Sequence, residues 1–268
     1  MLKKGQPQTI KGPAFILWLW LALLIPTNLC CAQSSKSEVE EEIVTFRETR
    51  FRVVRIAPAR LQLFSKISDP HISIRLVGNR VRKSGRKLIF ATNAGMYLKD
   101  FSPQGLHIED GKEITPLNLR PGAPISLNGK KITPNFYLKP NGVFLVTTKD
   151  TAAVIESTRF STSEIDVRLA TQSGPLLIHE GRIHPAFREG SDSRKHRNGV
   201  GIDKSGYAVF AITDDAETVN FFDFAKLFEH LGCRNALYLD GVISVMSVNP
   251  IAGREPVGSL GGVLAVAE

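Results

Sequence analysis

Short turn signals recur along the chain and limit it to one broad kind of fold. Glu109-Asp110-Gly111-Lys112, Lys139-Pro140-Asn141-Gly142, His179-Glu180-Gly181-Arg182 and Asp203-Lys204-Ser205-Gly206 are each flanked by alternating apolar residues. Glycine supplies the positive φ that tight hairpins demand, and period-two alternation gives each flanking strand one buried face. Upstream, Val44, Phe46, Phe51, Val53, Ile56, Leu61 and Leu63 alternate with Arg47, Arg50, Arg52, Arg55 and Arg60, which predicts at least two further strands. Leu88-Ile89-Phe90-Ala91 predicts a buried strand ending at Asn93-Ala94-Gly95, and Ala236-Leu237-Tyr238-Leu239 predicts another running into Asp240-Gly241. Helices are few. Ile74, Val77 and Val81 predict a short one within residues 73–83, and Phe221, Phe224, Ala225, Phe228 and Leu231 predict a second, capped by Asn220 or Thr218 and closed by Gly232. The expected class is α+β, a single domain of mostly antiparallel sheet with few helices.

The one long apolar run, Ala14 to Ile25, follows Lys3, Lys4 and Lys11 and is closed by Pro26. Twelve residues suit the core of a secretory signal better than a spanning helix. Residues 1–32 are therefore expected to be a signal peptide cleaved after Ala32, with 33–42 a polar leader and 43–268 the folded domain. Export to the periplasm or outside the cell follows, with no stable membrane embedding once the signal is cleaved. Retention as an uncleaved anchor and lipid attachment at Cys30 or Cys31 are the less favoured alternatives, the second because Asn28-Leu29 match a lipoprotein signal poorly. Losing the three lysines lowers the formal charge from +8 to +5 and leaves Cys233 as the single cysteine. The remaining cations do not cluster, and no motif points to nucleic acid.

Several motifs follow in order: Asn93-Ala94-Gly95-Met96-Tyr97, Asn135-Phe136, Gln172-Ser173-Gly174-Pro175, Arg197-Asn198-Gly199-Val200-Gly201 and Leu237-Tyr238-Leu239-Asp240-Gly241. Together they resemble the phosphodiester glycosidase family, over roughly residues 88–266, and within it the compact bacterial branch often labelled exopolysaccharide-related. The resemblance implies an exported hydrolase acting on a sugar-1-phosphodiester of envelope or extracellular polysaccharide. The alternative from another class is a noncatalytic carbohydrate or phosphoglycan binding protein that assists polysaccharide export or assembly. Animal-type members carry Asp-Gly-Gly-Gly-Ser where this chain has Asp240-Gly241-Val242-Ile243-Ser244. The fold therefore transfers more firmly than the sugar.

Cleaving a sugar from a phosphodiester expels a phosphate monoester, so the chemistry asks for one carboxylate and for donors to phosphate more than for a strong general acid. Asp240 is the candidate carboxylate and Arg197 the candidate phosphate clamp, both expected to be catalytic, with Arg168 a second cation. Asn93, Gln172, Ser173, Gly174, Asn198, Gly241 and Tyr97 are expected to line the substrate. A nucleophilic Ser173 is disfavoured because no glycine stands two residues before it, and Cys233 reads as a buried small hydrophobe. His107, His184 and His196 lie near the motifs, but no histidine or cysteine pair has ligand spacing. No metal and no cofactor are expected.

Overall fold

The computed structural model describes residues 39–66, 71–127, 129–161, 164–241 and 243–268, besides the isolated residues 5 and 9. The expected signal peptide lies outside the described residues. Residues 38–268 form one compact unit. In chain order its elements are β1 (Glu41–Phe46), β2 (Thr49–Ile56), β3 (Gln62–Ser65), α1 (Ile74–Lys83), β4 (Leu88–Asn93), β5 (His107–Glu109), β6 (Lys112–Thr115), β7 (Ile125–Leu127), β8 (Lys130–Ile132), β9 (Gly142–Thr147), β10 (Ala152–Glu156), β11 (Val167–Ser173), β12 (Leu176–His179), β13 (Arg182–Ile183), β14 (Asn198–Ile202), β15 (Ala208–Thr213), α2 (Phe221–His230), β16 (Asn235–Asp240), β17 (Met246–Val248) and β18 (Gly262–Ala267).

Three antiparallel sheets surround one core. They are ordered β1-β2-β15-β14-β16-β12-β13, β10-β9-β11-β5-β6 and β17-β4-β18-β3, with β7 and β8 forming a separate hairpin. Alternation sends Val54, Phe210, Val200 and Leu237 of the first sheet, Phe144, Val146 and Leu169 of the second, and Phe90, Leu63 and Leu264 of the third into the shared interior. Phe210 touches both other sheets, its ring 5.1 Å from that of Phe90 and 6.0 Å from that of Phe144. The helices cover outer faces. α1 sets Ile74, Val77 and Val81 against Leu88, Val263 and Ala265, and α2 sets Phe224, Ala225, Leu227 and Phe228 against Phe51, Val209 and Leu177.

Both helices start where a side chain can accept a free main-chain N–H. Ser73 Oγ accepts from Leu76 at 3.2 Å and Asn220 Oδ1 from Asp223 at 2.8 Å. Three of the four expected hairpins form, β5–β6, β12–β13 and β14–β15. Residues 139–142 depart from expectation. Asn141 Nδ2 instead donates to the carbonyl of Phe136 at 2.7 Å, tying the entry to β9 to a preceding 3-10 turn, Asn135–Tyr137. β1 also begins two residues before the expected domain start, at Glu41.

Candidate active site

The motifs of Asn93, Asn198 and Asp240 converge where β4 and β16 end and β14 begins. Asn198 pairs with Asp240, and the next pair is Gly199 with Tyr238, so Leu239 is an extra residue bulged into β16. A bulge twists its strand and re-aims the side chains beyond it. Buried Ser173 donates its hydroxyl to the Leu239 carbonyl at 2.9 Å, anchoring the bulge.

Two buried asparagines hold the turn that follows. Asn198 Oδ1 accepts from the Asp240 N–H at 3.0 Å and from Ser244 Oγ at 3.2 Å, while its Nδ2 donates to Asn93 Oδ1 at 2.7 Å and to Thr92 Oγ1 at 3.2 Å. Asn93 Oδ1 also accepts from the Val245 N–H at 3.0 Å, and its Nδ2 donates to the Ala94 carbonyl at 3.1 Å. Their amides are occupied by the protein itself. Both residues, expected to touch substrate, instead position the loop carrying Asp240.

The Asp240 carboxylate accepts from the main-chain N–H groups of Gly241 and Ile243. Desolvation outweighs those bonds and pushes its pKa up from 3.8 to about 6. The side chain remains partly open to solvent. Its negative charge raises the pKa of Tyr97 and of Tyr238, in each case behind the larger effect of burial. Tyr97 is fixed by its hydroxyl on the Ser259 carbonyl at 2.8 Å. Tyr238 Oη lies against Gly241, where any Cβ would collide with it. Glycine is required there by close approach.

Arg197 is buried at 2% exposure, and its neutral contacts explain how. Its Nε donates to the Val219 carbonyl at 2.8 Å, Nη2 to the Ser193 carbonyl at 3.1 Å and Nη1 to Tyr238 Oη at 3.3 Å, while the guanidinium lies 3.6 Å from the Phe221 ring centre. A cation held this way reaches the neighbourhood of Asp240 through Tyr238. Phe221 in turn stacks on Phe187 at 4.8 Å, and Phe187 on His184 at 4.7 Å. The sequence placed Tyr238 on a strand and Phe221 on a helix but gave neither a part in the site. Tyr238 stands on the same strand as Asp240, but the bulge at Leu239 lies between them, so alternation alone does not bring the two side chains together.

The remaining candidates separate. Gln172 is consumed by the main chain: Oε1 accepts from Leu106 and Asn118 at 3.0 and 2.9 Å, and Nε2 donates to the Asn118 carbonyl at 2.8 Å. Gly174 backs the site, where a Cβ would meet Asn141 Cβ at 2.6 Å. Arg168 is a correction. It lies towards the other end of β11 from Ser173 and binds the Leu61 and Pro58 carbonyls at 2.7 and 2.9 Å and Asp150 at 2.9 Å, so it belongs to the scaffold. The thiol of Cys233 is buried and its pKa is pushed up to about 12, which leaves no thiolate for nucleophilic work near neutral pH. Burial pushes His107 down to about 4, so that ring is neutral. His196 accepts from or donates to Thr213 Oγ1 at 2.6 Å and has its main-chain carbonyl beside Gly241. Among the described residues, no group of three or more His, Cys, Asp or Glu side chains is arranged to hold a metal ion.

A family model for phosphodiester glycosidases matches residues 86–263, which contain every one of these site elements. The chain belongs to the phosphodiester glycosidase family. It is 40% identical over 157 residues to the uncharacterized protein YigE of Escherichia coli K12, a match covering 58% of this chain and 56% of that one. The matched part is thus just over half the length of that relative. The fold is shared with the zebrafish N-acetylglucosamine-1-phosphodiester alpha-N-acetylglucosaminidase catalytic domain auto-inhibited by its pro-peptide, with 16% identity, a TM-score of 0.57, and 85% of this chain and 82% of that one covered. A hypothetical protein from Synechocystis is similar in fold at 14% identity and a TM-score of 0.51, with 85% and 61% covered. In this family member the carboxylate, the tyrosines and the asparagine pair all fall within the matched region.

Proposed function

We propose that this phosphodiester glycosidase family member is an exported hydrolase that breaks the C1–O bond of a sugar-1-phosphodiester in envelope or extracellular polysaccharide. Water supplies the new oxygen at C1 and the departing group leaves as a phosphate monoester, which is stable as an anion and asks little of a general acid. The observation that carries the reading is Asp240. A carboxylate pinned by two main-chain N–H groups, partly open to solvent and desolvated enough to titrate near 6, is suited to attack an oxocarbenium-like carbon or to activate water beside it. Tyr97 supplies an aromatic edge for a sugar face, and Arg197 holds Tyr238 in place from behind. Family membership and the fold shared with the zebrafish catalytic domain, whose name states an N-acetylglucosamine phosphodiester substrate, support this class of substrate. Val242 and Ile243 stand where animal-type members of the family carry glycines, which loosens the transfer of N-acetylglucosamine itself.

The test is release of sugar and phosphate monoester from a panel of sugar-1-phosphodiesters by residues 33–268, beside Asp240→Asn. Turnover in the wild type with a loss of about a thousandfold or more in the variant supports the reading. Binding of panel members without turnover in either protein gives the site to a noncatalytic phosphoglycan binder.

A further inference from the structure

A cleft of about 180 Å³ lies beside the turn that holds the Asp240 carboxylate. Ile243 and Val245 of that turn, Pro256 and Leu260 of the segment leading to β18, and Ile74 at the start of α1 line it with aliphatic side chains, and no charged residue lines it. Ser244 and Ser259 also border the space, but the Ser244 hydroxyl donates to the Asp240 carbonyl at 2.8 Å and the Ser259 carbonyl accepts from the Tyr97 hydroxyl at 2.8 Å.

Those bonds tie the cleft to the reacting centre. The Ile243 N–H donates to the Asp240 carboxylate, so one lining segment sets the group that would meet the sugar carbon. The other lining segment anchors Tyr97, the aromatic edge offered to the sugar. It is itself held to the fold: Leu260 and Ile72 exchange main-chain bonds of 2.7 and 3.1 Å, and the Arg75 N–H donates to the Pro256 carbonyl at 3.0 Å. The cleft is therefore formed before any ligand arrives.

A sugar-1-phosphodiester has two halves. The sugar carries hydroxyls that an aliphatic lining would leave unpaired, whereas the alcohol on the far side of the phosphate is free to be apolar. We propose that this cleft is the subsite for the departing half of the substrate and takes an aliphatic alcohol. The proposal rests on the hydrolase reading of Asp240 and adds to it the second half of the substrate, an alkyl chain joined to the glycan through phosphate. A dry apolar cavity of about 150 Å³ admits benzene, so this one has room for about six carbons.

The probes are the methyl, hexyl and glyceryl esters of glucose 1-phosphate and of N-acetylglucosamine 1-phosphate. Their affinities would be measured by calorimetry on residues 33–268 carrying Asp240→Asn, so that no ester is consumed. The hexyl ester should bind at least about tenfold more tightly than the methyl or glyceryl ester of the same sugar. A Cβ at Gly258, which also lines the cleft, would meet no atom within 4 Å, so Gly258→Phe can fill the space without a clash. Added to Asp240→Asn, it should erase the difference between hexyl and methyl with the melting temperature kept. Equal affinities for the hexyl and methyl esters, or a hexyl preference that survives Gly258→Phe, would overturn the proposal. Turnover by the chain with Asp240 intact is read separately on the same esters. Turnover without a hexyl preference overturns the subsite alone, and a hexyl preference without turnover overturns the hydrolase reading while keeping the aliphatic occupant.

Discussion

At the scale of single residues, an ionised Asp240 costs the fold stability, because burial disfavours its charge. A carboxyl whose pKa is raised on folding, here from 3.8 to about 6, holds its proton more tightly in the native state. Its favourable contribution is complete below the unfolded value and is lost as pH rises through the folded one. Asp240→Asn should therefore stabilise the protein by about 1–3 kcal/mol at pH 8 and by much less at pH 4, read as the difference in melting temperature from wild type at each pH. An equal shift at both would point to packing instead of charge. Arg197 sits in the opposite balance. Its three acceptors and the Phe221 ring match a planar fork, which a lysine cannot reproduce. Arg197→Lys should cost about 2–3 kcal/mol in denaturant unfolding, and a cost near zero would place the guanidinium elsewhere. The sequence singled out Arg197 by its motif, but its burial depends on carbonyls of Ser193 and Val219 that no local pattern brings together.

At the scale of elements, the ends of β4, β14 and β16 act as one clamp. The Asn198 side chain binds Asp240 at the main-chain N–H, so it sets where the carboxylate stands. Asn198→Ala should lower kcat at least about tenfold with KM little changed, together with about 2–4 kcal/mol of stability from the side-chain bonds lost. A KM effect with kcat preserved would return Asn198 to direct substrate contact. The strand ends at Asn93 and Asp240, both helices and three hairpins were legible because caps, glycine turns and periodicity are local signals. The bulge at Leu239 was not, since it appears only when β14 and β16 are laid side by side. Nor does any local signal tell that Arg168 lies towards the end of β11 away from Ser173.

At the scale of the whole molecule, three sheets share one interior, and Phe210 is where they meet. Truncating it removes contacts to two other sheets at once. Phe210→Ala should cost about 3–5 kcal/mol in equilibrium unfolding, with one cooperative transition kept. Two separated transitions would mean that the sheets are independent units. Antiparallel class was readable from the sequence, but the sheet order was not, because pairings such as β4 with β18 join residues far apart in the chain. The closure of this core is what brings Tyr97 within electrostatic reach of Asp240.

The proposed hydrolysis requires an ionised Asp240, and the pH dependence of kcat/KM on a cleaved sugar-1-phosphodiester tests that requirement most directly. The prediction is a rate that rises with pH through a limb near 6, following the carboxylate as it loses its proton. A profile flat from pH 4.5 to 8, or one that falls through that limb, would contradict it and assign the working group elsewhere or the working form to the protonated acid.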